Sequence, residues 1–193
     1  MNDFSLTKAF ELFDAYNGKD PVIELVNLRE MPRALAYGWR MTECLTWYDP
    51  AASIPLQLAA RCQHIGRWEI ARSNYSMDKK GYLQWRHAEK VHQCNVASMI
   101  LEDCNFPVAV IEKVKFLLMK RELQTNSETQ ILEDVICLVF VQFYLQDFAA
   151  KHTNEKVVDI LVKTIKKMTP RALDQVGKIE LSPAIRALIA RAV

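Results

Sequence analysis

The chain has 193 residues, of which 50% are hydrophobic and 25% are charged, so it is long enough to bury the core of one globular domain. Only five residues are glycine, and 5/193 is about 2.6% against a usual ~7%. β-Sandwiches and barrels need frequent turns, and doubly wound nucleotide-binding folds open with a glycine-rich loop, so the shortage of glycine argues against both. The composition therefore predicts an all-α protein.

The charges nearly balance, with 25 Lys and Arg against 23 Asp and Glu, and a net charge of +2 carries no signal for DNA binding. The five cysteines are odd in number and form no C-x-x-C pair, which predicts reduced thiols rather than disulfides or a zinc ribbon. No apolar run approaches the ~18 residues of a membrane span, and Asn-Asp after Met1 does not begin a leader peptide. We expect a cytoplasmic protein without a membrane partner.

Apolar residues at helical spacing predict three helices in the first third of the chain, at 6–16, 32–47 and 54–65. Asn17-Gly18 ends the first helix, and Pro32 suits the first turn of the second. The third helix is apolar on nearly every face, which is typical of a helix at the centre of a bundle.

Helical periodicity is lost after Gly66, in a polar stretch at 67–80 that contains aromatic and cationic residues. A packed loop of this length is uncommon unless it has a function. Helical spacing then resumes, and it predicts helices at 82–102, 107–123, 131–150, 157–167 and 182–192. Asn126 or Ser127 can cap the helix that includes 131–150.

These elements predict a single-domain helical bundle with a long ordered loop between two central helices. Residues 1–31 form the first helix and a connector, residues 32–150 form the core, and residues 151–193 form the C-terminal helices. No internal repeat divides the chain.

Four polar residues interrupt helices that are otherwise apolar: His64, His92, Glu133 and Asp134. Imidazole nitrogens and carboxylate oxygens bind divalent Mn, Fe, Zn or Mg, and helical bundles gather such ligands from separate helices. One divalent ion held by these residues is one interpretation. The other is that both histidines are satisfied in the core and that the carboxylates pair with Arg40 or Lys120.

The order of these residues resembles that of the HD-domain metal-dependent phosphohydrolases, which are all-helical. LAARCQHIGRW at 58–68 is similar to their LAALLHDIG segment, KVHQCNVASMIL places His92 on a ligand-type histidine, and ETQILEDVICL places Asp134 on the last metal ligand. The resemblance implies an HD-like fold with His64, His92 and Asp134 as metal ligands. Gln63-His64 replaces the family's His-Asp pair. Arg40 and Lys120 stand where the full two-metal sites have histidines, so the resemblance implies one metal or none rather than two.

A closer resemblance covers nearly the whole chain. AARCQHIGRWEIARSNYSM, GYLQWR, LLMKREL, ETQILEDVICLVF, FAAKH and LVKTIKKMTPRA are similar to blocks of the family catalogued as domain of unknown function 4202. Ala71 and Ser76 stand where that family favours proline, which leaves the loop residues Arg72, Ser73 and Tyr75 unchanged.

The loop supplies residues that suit a phosphate ester next to a base. Arginine forms a bidentate fork for phosphate oxygens, and tyrosine and tryptophan stack on bases. The candidate substrate-binding residues are Arg67, Arg72, Ser73, Tyr75, Tyr82, Trp85 and Arg86. The alternative is that the aromatics fill the core beneath the loop and the cations form its solvated rim.

Two functions follow. The first is a metal-dependent phosphohydrolase for a nucleotide-like or RNA-terminal phosphoester, in which the metal activates a water, Glu133 orients that water and Lys120 holds the phosphoryl group. The second is a degenerate HD-like module that binds a nucleotide or RNA without turnover. In both cases the partner is a phosphate-containing small molecule or an RNA end.

Overall fold

A computed structural model describes residues 3–193, and these residues form ten α-helices and one two-stranded sheet. The all-α prediction is confirmed. The chain divides into two compact units, an N-terminal unit that ends at Arg121 and a C-terminal unit from Glu122 to Val193. The single-domain organisation stays a prediction. No helix in the described part of the chain is long and apolar enough to cross a membrane.

The N-terminal unit is a helical bundle with a small hairpin. Its elements are α1 (Asp3–Asn17), β1 (Ile23–Val26), β2 (Arg29–Pro32), α2 (Arg33–Tyr48), α3 (Ile54–Arg61), α4 (Lys79–Asp103) and α5 (Val108–Leu118). Helix α3 packs against α1, α2 and α5, and Leu56, Leu58, Ala59 and Ala60 are completely buried. The third predicted helix is therefore central, as its apolar surface indicated.

The antiparallel hairpin β1–β2 occupies part of the stretch that the sequence predicted as a connector. Asn27 and Leu28 form its turn with φ of 51° and 65°. A two-residue turn of this kind needs a positive φ at both positions, and Asn-Gly is its usual sequence signal. Leucine replaces that glycine, so the hairpin carried no recognisable turn motif.

The C-terminal unit contains α6 (Ser127–Val139), a π-helical segment (Phe140–Tyr144), α7 (Leu145–Ala150), α8 (Asn154–Ile165), α9 (Pro170–Val176) and α10 (Pro183–Ala190). Its core joins the π segment to α7, α8 and α10 through Val141, Leu145, Leu161, Ile185 and Leu188. The sequence predicted one uninterrupted helix at 131–150 and missed α9. Asn126 caps α6 by accepting the Thr129 N–H.

Helices α2 and α3 approach each other at a glycine. A Cβ atom on Gly38 would lie 2.7 Å from the backbone oxygen of Arg61, so a larger residue pushes the two helices apart. We expect Gly38→Ala to lower the free energy of unfolding by about 1–3 kcal/mol, as overpacked sites do. Urea denaturation measures the change.

The matched control is Gly177→Ala, because a Cβ atom there has an ordinary contact of 3.4 Å with the Asp174 oxygen. Gly177 has φ of −60°, which alanine adopts without strain. Equal stability of the two variants would contradict the tight packing of α2 on α3.

Candidate functional site

The predicted third helix extends to residue 65, but α3 ends at Arg61 because the chain turns sharply after it. His64 and Gly66 both have left-handed backbones, with φ of 68° and 64°. The left-handed region suits glycine and is uncommon for other residues. A Cβ atom on Gly66 would also lie 2.7 Å from Nε2 of His92, so this turn needs glycine for conformation and for space.

Two 3-10 turns, Arg67–Glu69 and Arg72–Asn74, follow and lead the chain to Asp78, which caps α4 by accepting the Gly81 N–H. The predicted loop at 67–80 is therefore ordered over most of its length. It begins at a left-handed turn and ends at a helix cap, so the positions of its side chains are fixed from both sides.

Three arginines surround one tryptophan where this loop meets α4. The guanidinium carbons of Arg67, Arg72 and Arg86 lie 5.3, 5.8 and 5.8 Å from the centre of a Trp85 ring. The indole Nε1 donates a hydrogen bond of 2.9 Å to the Ile70 oxygen, which fixes the ring against the loop. These four residues and Glu89 are called the arginine–tryptophan cluster below.

Glu89 is the one carboxylate of the cluster, and it is completely buried. Its Oε1 lies 2.9 Å from Nε of Arg67, and its Oε2 lies 2.7 Å from Nη1 of Arg86. Arg72 instead donates from Nη1 to the Tyr75 oxygen, at 3.0 Å. Arg67 and Arg86 share Glu89, and Arg72 does not pair with it, so the cluster itself contains three cations and one anion, an excess of two positive charges. Hydrogen bonds, and also the charge of Arg72, lower the pKa of Asp78.

His64 lies at the edge of the same cluster. Its ring stacks on Tyr37 with 4.3 Å between ring centres, and Nη1 of Arg67 lies 3.2 Å from its Nε2 and 3.4 Å from its Nδ1. Burial, and then the positive charges of Arg67, Arg86 and Lys120, hold the pKa of His64 well below its ordinary value. The ring is therefore neutral at physiological pH.

His92 contacts a different set of residues. Its Nε2 lies 2.8 Å from Oε2 of Glu69, and the Tyr16 hydroxyl donates to the same carboxylate at 2.9 and 3.1 Å. Burial and the hydrogen bond to Glu69 raise the pKa of Tyr16 to about 12. Glu69 thereby joins the first 3-10 turn to both α1 and α4.

Asp134 and Glu133 belong to the C-terminal unit and are both buried. Asp134 accepts hydrogen bonds from the Thr169 N–H at 2.9 Å, the Thr169 hydroxyl at 2.6 Å and the Gln130 amide at 3.1 Å. Thr169 is the N-cap of α9, so the carboxylate attaches the start of α9 to α6. Lys167 Nζ lies 3.4 Å from Oε1 of Glu133.

The three candidate metal ligands, His64, His92 and Asp134, each have protein partners. Within residues 3–193, no three or more His, Cys, Asp or Glu side chains come together as a group that could hold a metal ion. The metal set stays a prediction. Arg40, offered as a partner for the 133–134 carboxylates, forms an ion pair with Glu24.

Four of the seven predicted substrate-binding residues belong to the arginine–tryptophan cluster. The Tyr82 ring lies 5.9 Å from that of Trp85, and Tyr82 is 48% exposed. Tyr75 contributes its backbone oxygen to Arg72, and Ser73 is exposed on the second 3-10 turn.

Four residues of the site were not among the predicted ones: Glu89, Tyr37, Glu69 and Tyr16. Glu89 had a detectable signal, because it lies three residues after Arg86 on a predicted helix and that spacing forms ion pairs. Tyr37, Glu69 and Tyr16 reach their partners only through the tertiary fold.

The chain belongs to the family described as domain of unknown function 4202, whose model matches residues 7–189. The match spans both units and includes every candidate site residue. No curated protein and no solved structure matches the chain.

Glu89 is the residue on which the cluster depends. We expect Glu89→Gln to lower the free energy of unfolding by about 2–4 kcal/mol, because Arg67 and Arg86 would lose their shared buried carboxylate. The control Glu112→Gln removes an exposed pair with Lys115 and should cost less than about 1 kcal/mol. Similar losses in the two variants, measured by urea denaturation, would contradict this role of Glu89.

The lowered pKa of His64 makes stability depend on pH. The unfolded chain protonates this ring near pH 6.5, whereas the folded chain keeps it neutral to lower pH. The unfolded state therefore binds more protons as the pH falls from 7 to 5, and this residue lowers the free energy of unfolding by up to ~1.4 kcal/mol per pH unit.

Asn does not titrate and tolerates a left-handed backbone, so His64→Asn should reduce this pH dependence. Urea denaturation of both chains at pH 5, 6 and 7 measures the difference. Identical slopes would show that folding does not lower the pKa of His64.

Proposed function

We propose that the N-terminal unit binds a phosphate-bearing ligand of the nucleotide class, free or at an RNA end, at the arginine–tryptophan cluster. The observation that carries this proposal is the pair of excess positive charges around Trp85, from three arginines with one buried carboxylate. A terminal phosphate carries about −1.5 to −2 charges at neutral pH, which matches that excess. A phosphodiester with one negative charge would leave part of it unpaired.

Free hydrogen-bond donors support the same ligand. Within the described residues, Nε and Nη2 of Arg72 have no hydrogen-bond partner, and neither do Nε and Nη2 of Arg86. Guanidinium forks of this kind bind phosphate oxygens in pairs. The contacts of Arg72 with Tyr75 and of Arg86 with Glu89 hold both forks before any ligand arrives, which reduces the entropy lost on binding.

Tyr82 supports a ligand that carries a base. Its ring is about half exposed, one turn before Arg86 on α4, whereas three cations surround Trp85. Bases stack on exposed aromatic faces, and alanine substitution of such a face costs about 1–3 kcal/mol per base. The base of the ligand therefore stacks on the ring of Tyr82, whereas the ring of Trp85 contacts the three arginines.

The metal-dependent phosphohydrolase has less support from the geometry. A guanidinium nitrogen of Arg67 lies within 3.4 Å of both ring nitrogens of His64, where a ligand histidine would present a lone pair to the ion. A cation at that position repels a metal ion. Hydrolysis through a metal stays a prediction, as do the roles of Lys120 and Glu133 in it.

Two broader features belong to the same proposal. The HD-like arrangement of helices is supported by the motif order around His64, His92 and Asp134. A cytoplasmic location is supported by the five free, buried cysteines, because reduced thiols are typical of reducing compartments.

Arg72→Ala tests the binding proposal, with 5′-AMP as the probe and EDTA present to remove metals. Loss of one charged hydrogen-bonding group should weaken the affinity by about 10- to 100-fold in titration calorimetry. The melting temperature should change little, because Arg72 forms no ion pair with Glu89. Arg29→Ala, an exposed arginine of β2, is the matched control and should bind as the unmodified chain does.

Tyr82→Ala separates the base from the phosphate. We expect it to weaken 5′-AMP binding by about 5- to 100-fold and to leave the binding of inorganic phosphate unchanged. If Arg72→Ala and Arg29→Ala bind 5′-AMP equally while both stay folded, the cluster is not the site.

A further inference from the structure

We propose that His64 is a nucleophile that accepts a phosphoryl group from a phosphate monoester bound at the arginine–tryptophan cluster, with a phosphohistidine as the intermediate. The inference rests on the proposed function, since the cluster must first bind the phosphate. It adds an activity to that binding and needs no metal ion.

The position of the His64 ring carries the inference. Nη1 of Arg67 lies 3.2 Å from Nε2 of the ring, and the same guanidinium belongs to the cluster through Glu89 and Trp85. A phosphate oxygen on this guanidinium would therefore bring phosphorus to within a few ångströms of a ring nitrogen. Near-attack geometries have reacting atoms ~3–3.5 Å apart.

The contacts of His64 are not those of a structural core histidine. Such a histidine donates its ring N–H to a carbonyl or a carboxylate, as ligand histidines also do. Among the described residues, the ring of His64 stacks on Tyr37 and its nitrogens lie near Nη1 of Arg67, which is a donor, and no carbonyl or carboxylate accepts the ring N–H. Nη1 of Arg67 is the polar atom beside both ring nitrogens, so a phosphate oxygen that takes this N–H would release a ring nitrogen for attack.

The backbone of His64 gives a second, independent observation. Its φ of 68° is uncommon for a residue with a side chain. Conformations of this kind cost free energy and concentrate at active sites, where they present a side chain that regular structure would direct elsewhere. Tyr37 packs against one face of the ring and fixes its plane relative to Arg67.

The other nucleophilic side chains nearby are less suited to the reaction. Burial raises the pKa of the Cys62 thiol far above neutrality and that of Cys94 to about 11, so neither forms a thiolate. His92 faces the Glu69 carboxylate. His64 is surrounded by cations, which attract the phosphoryl oxygens while leaving the imidazole uncharged.

The reaction balances in two steps. A ring nitrogen of His64 donates its lone pair to phosphorus while the bond between phosphorus and the bridging ester oxygen breaks. That oxygen leaves with the bond's electron pair and takes a proton from water. A second water then attacks phosphorus, the N–P bond breaks with its electrons returning to the ring, and phosphate is released. The proton lost by the attacking water replaces the one taken by the alcohol, so the net reaction is ester hydrolysis.

Arg67, Arg72 and Arg86 would stabilise the charge that builds on the phosphoryl oxygens in both steps. Fixed cations directed at developing charge are among the largest contributions to catalysis. Arg67 contacts both the phosphoryl group and the nucleophile, so it would also position one against the other.

The test is to incubate the full chain with 4-nitrophenyl phosphate, and separately with 5′-AMP, in EDTA. The mixtures are quenched in alkali, where phosphohistidine survives, and the peptides are analysed by mass spectrometry. We expect one phosphoryl group on the peptide that contains His64, lost after acid treatment. His64→Asn should lower the phosphorylated fraction by about 50-fold or more, and His87→Ala, an exposed histidine of α4, should not change it.

The outcomes separate this inference from the proposed function. If 5′-AMP binds and neither ester places a phosphoryl group on His64, the nucleophile is overturned and the binding site stands. A phosphoryl group on any other residue also overturns it. If 5′-AMP does not bind, both proposals fall together. The phosphorylated residue is identified in the chain without substitutions, so this result does not depend on how well the His64→Asn variant folds.

Discussion

The N-terminal unit depends on one buried carboxylate, that of Glu89. Isolated buried charges are costly, and this one is acceptable because Arg67 reaches it from the loop and Arg86 from α4. The ion pair of Arg67 with Glu89 joins the irregular segment after α3 to the regular helix α4. The pair with Arg86 uses Nη1 alone, which leaves Nε and Nη2 of this guanidinium without a hydrogen-bond partner among the described residues. A structural requirement, the neutralisation of Glu89, thereby brings two arginines together beside the ring of His64, where we propose that a phosphate binds.

The C-terminal unit also contains a buried carboxylate that connects two elements, but its hydrogen-bond donors are neutral. The Asp134 carboxylate is buried and receives three hydrogen bonds, two of them from Thr169 at the start of α9. These hydrogen bonds hold the start of the short helix α9, which has seven residues. The motif that resembles a metal ligand in sequence has a clear structural use here, since every oxygen of the carboxylate has a donor.

Much of the fold was predictable because apolar residues recur at the helical period along the sequence of an amphipathic helix. Helices α2, α4, α8 and α10 were predicted within three residues of their ends, whereas α5 ends five residues before its predicted end. The errors occur where backbone conformation departs from the usual preferences of the residues. Leu28 in the hairpin turn and His64 after α3 have positive φ without being glycine, and Lys120 does the same after α5. Local propensity cannot predict such residues, because tertiary contacts hold them there.

The sequence by itself determined a mostly helical protein with a polar loop before α4, because glycine scarcity and helical periodicity are properties of local chain chemistry. It also marked the arginines and aromatics of that loop as candidate ligands for a phosphate. Only the tertiary structure decided how these side chains combine. It joined Arg67 and Arg86 through Glu89, directed Arg67 at the ring of His64, and gave His92 and Asp134 protein partners. The physical reason is that hydrogen bonds and ion pairs act over about 3 Å, and residues separated by tens of positions reach that distance only when the whole chain has folded.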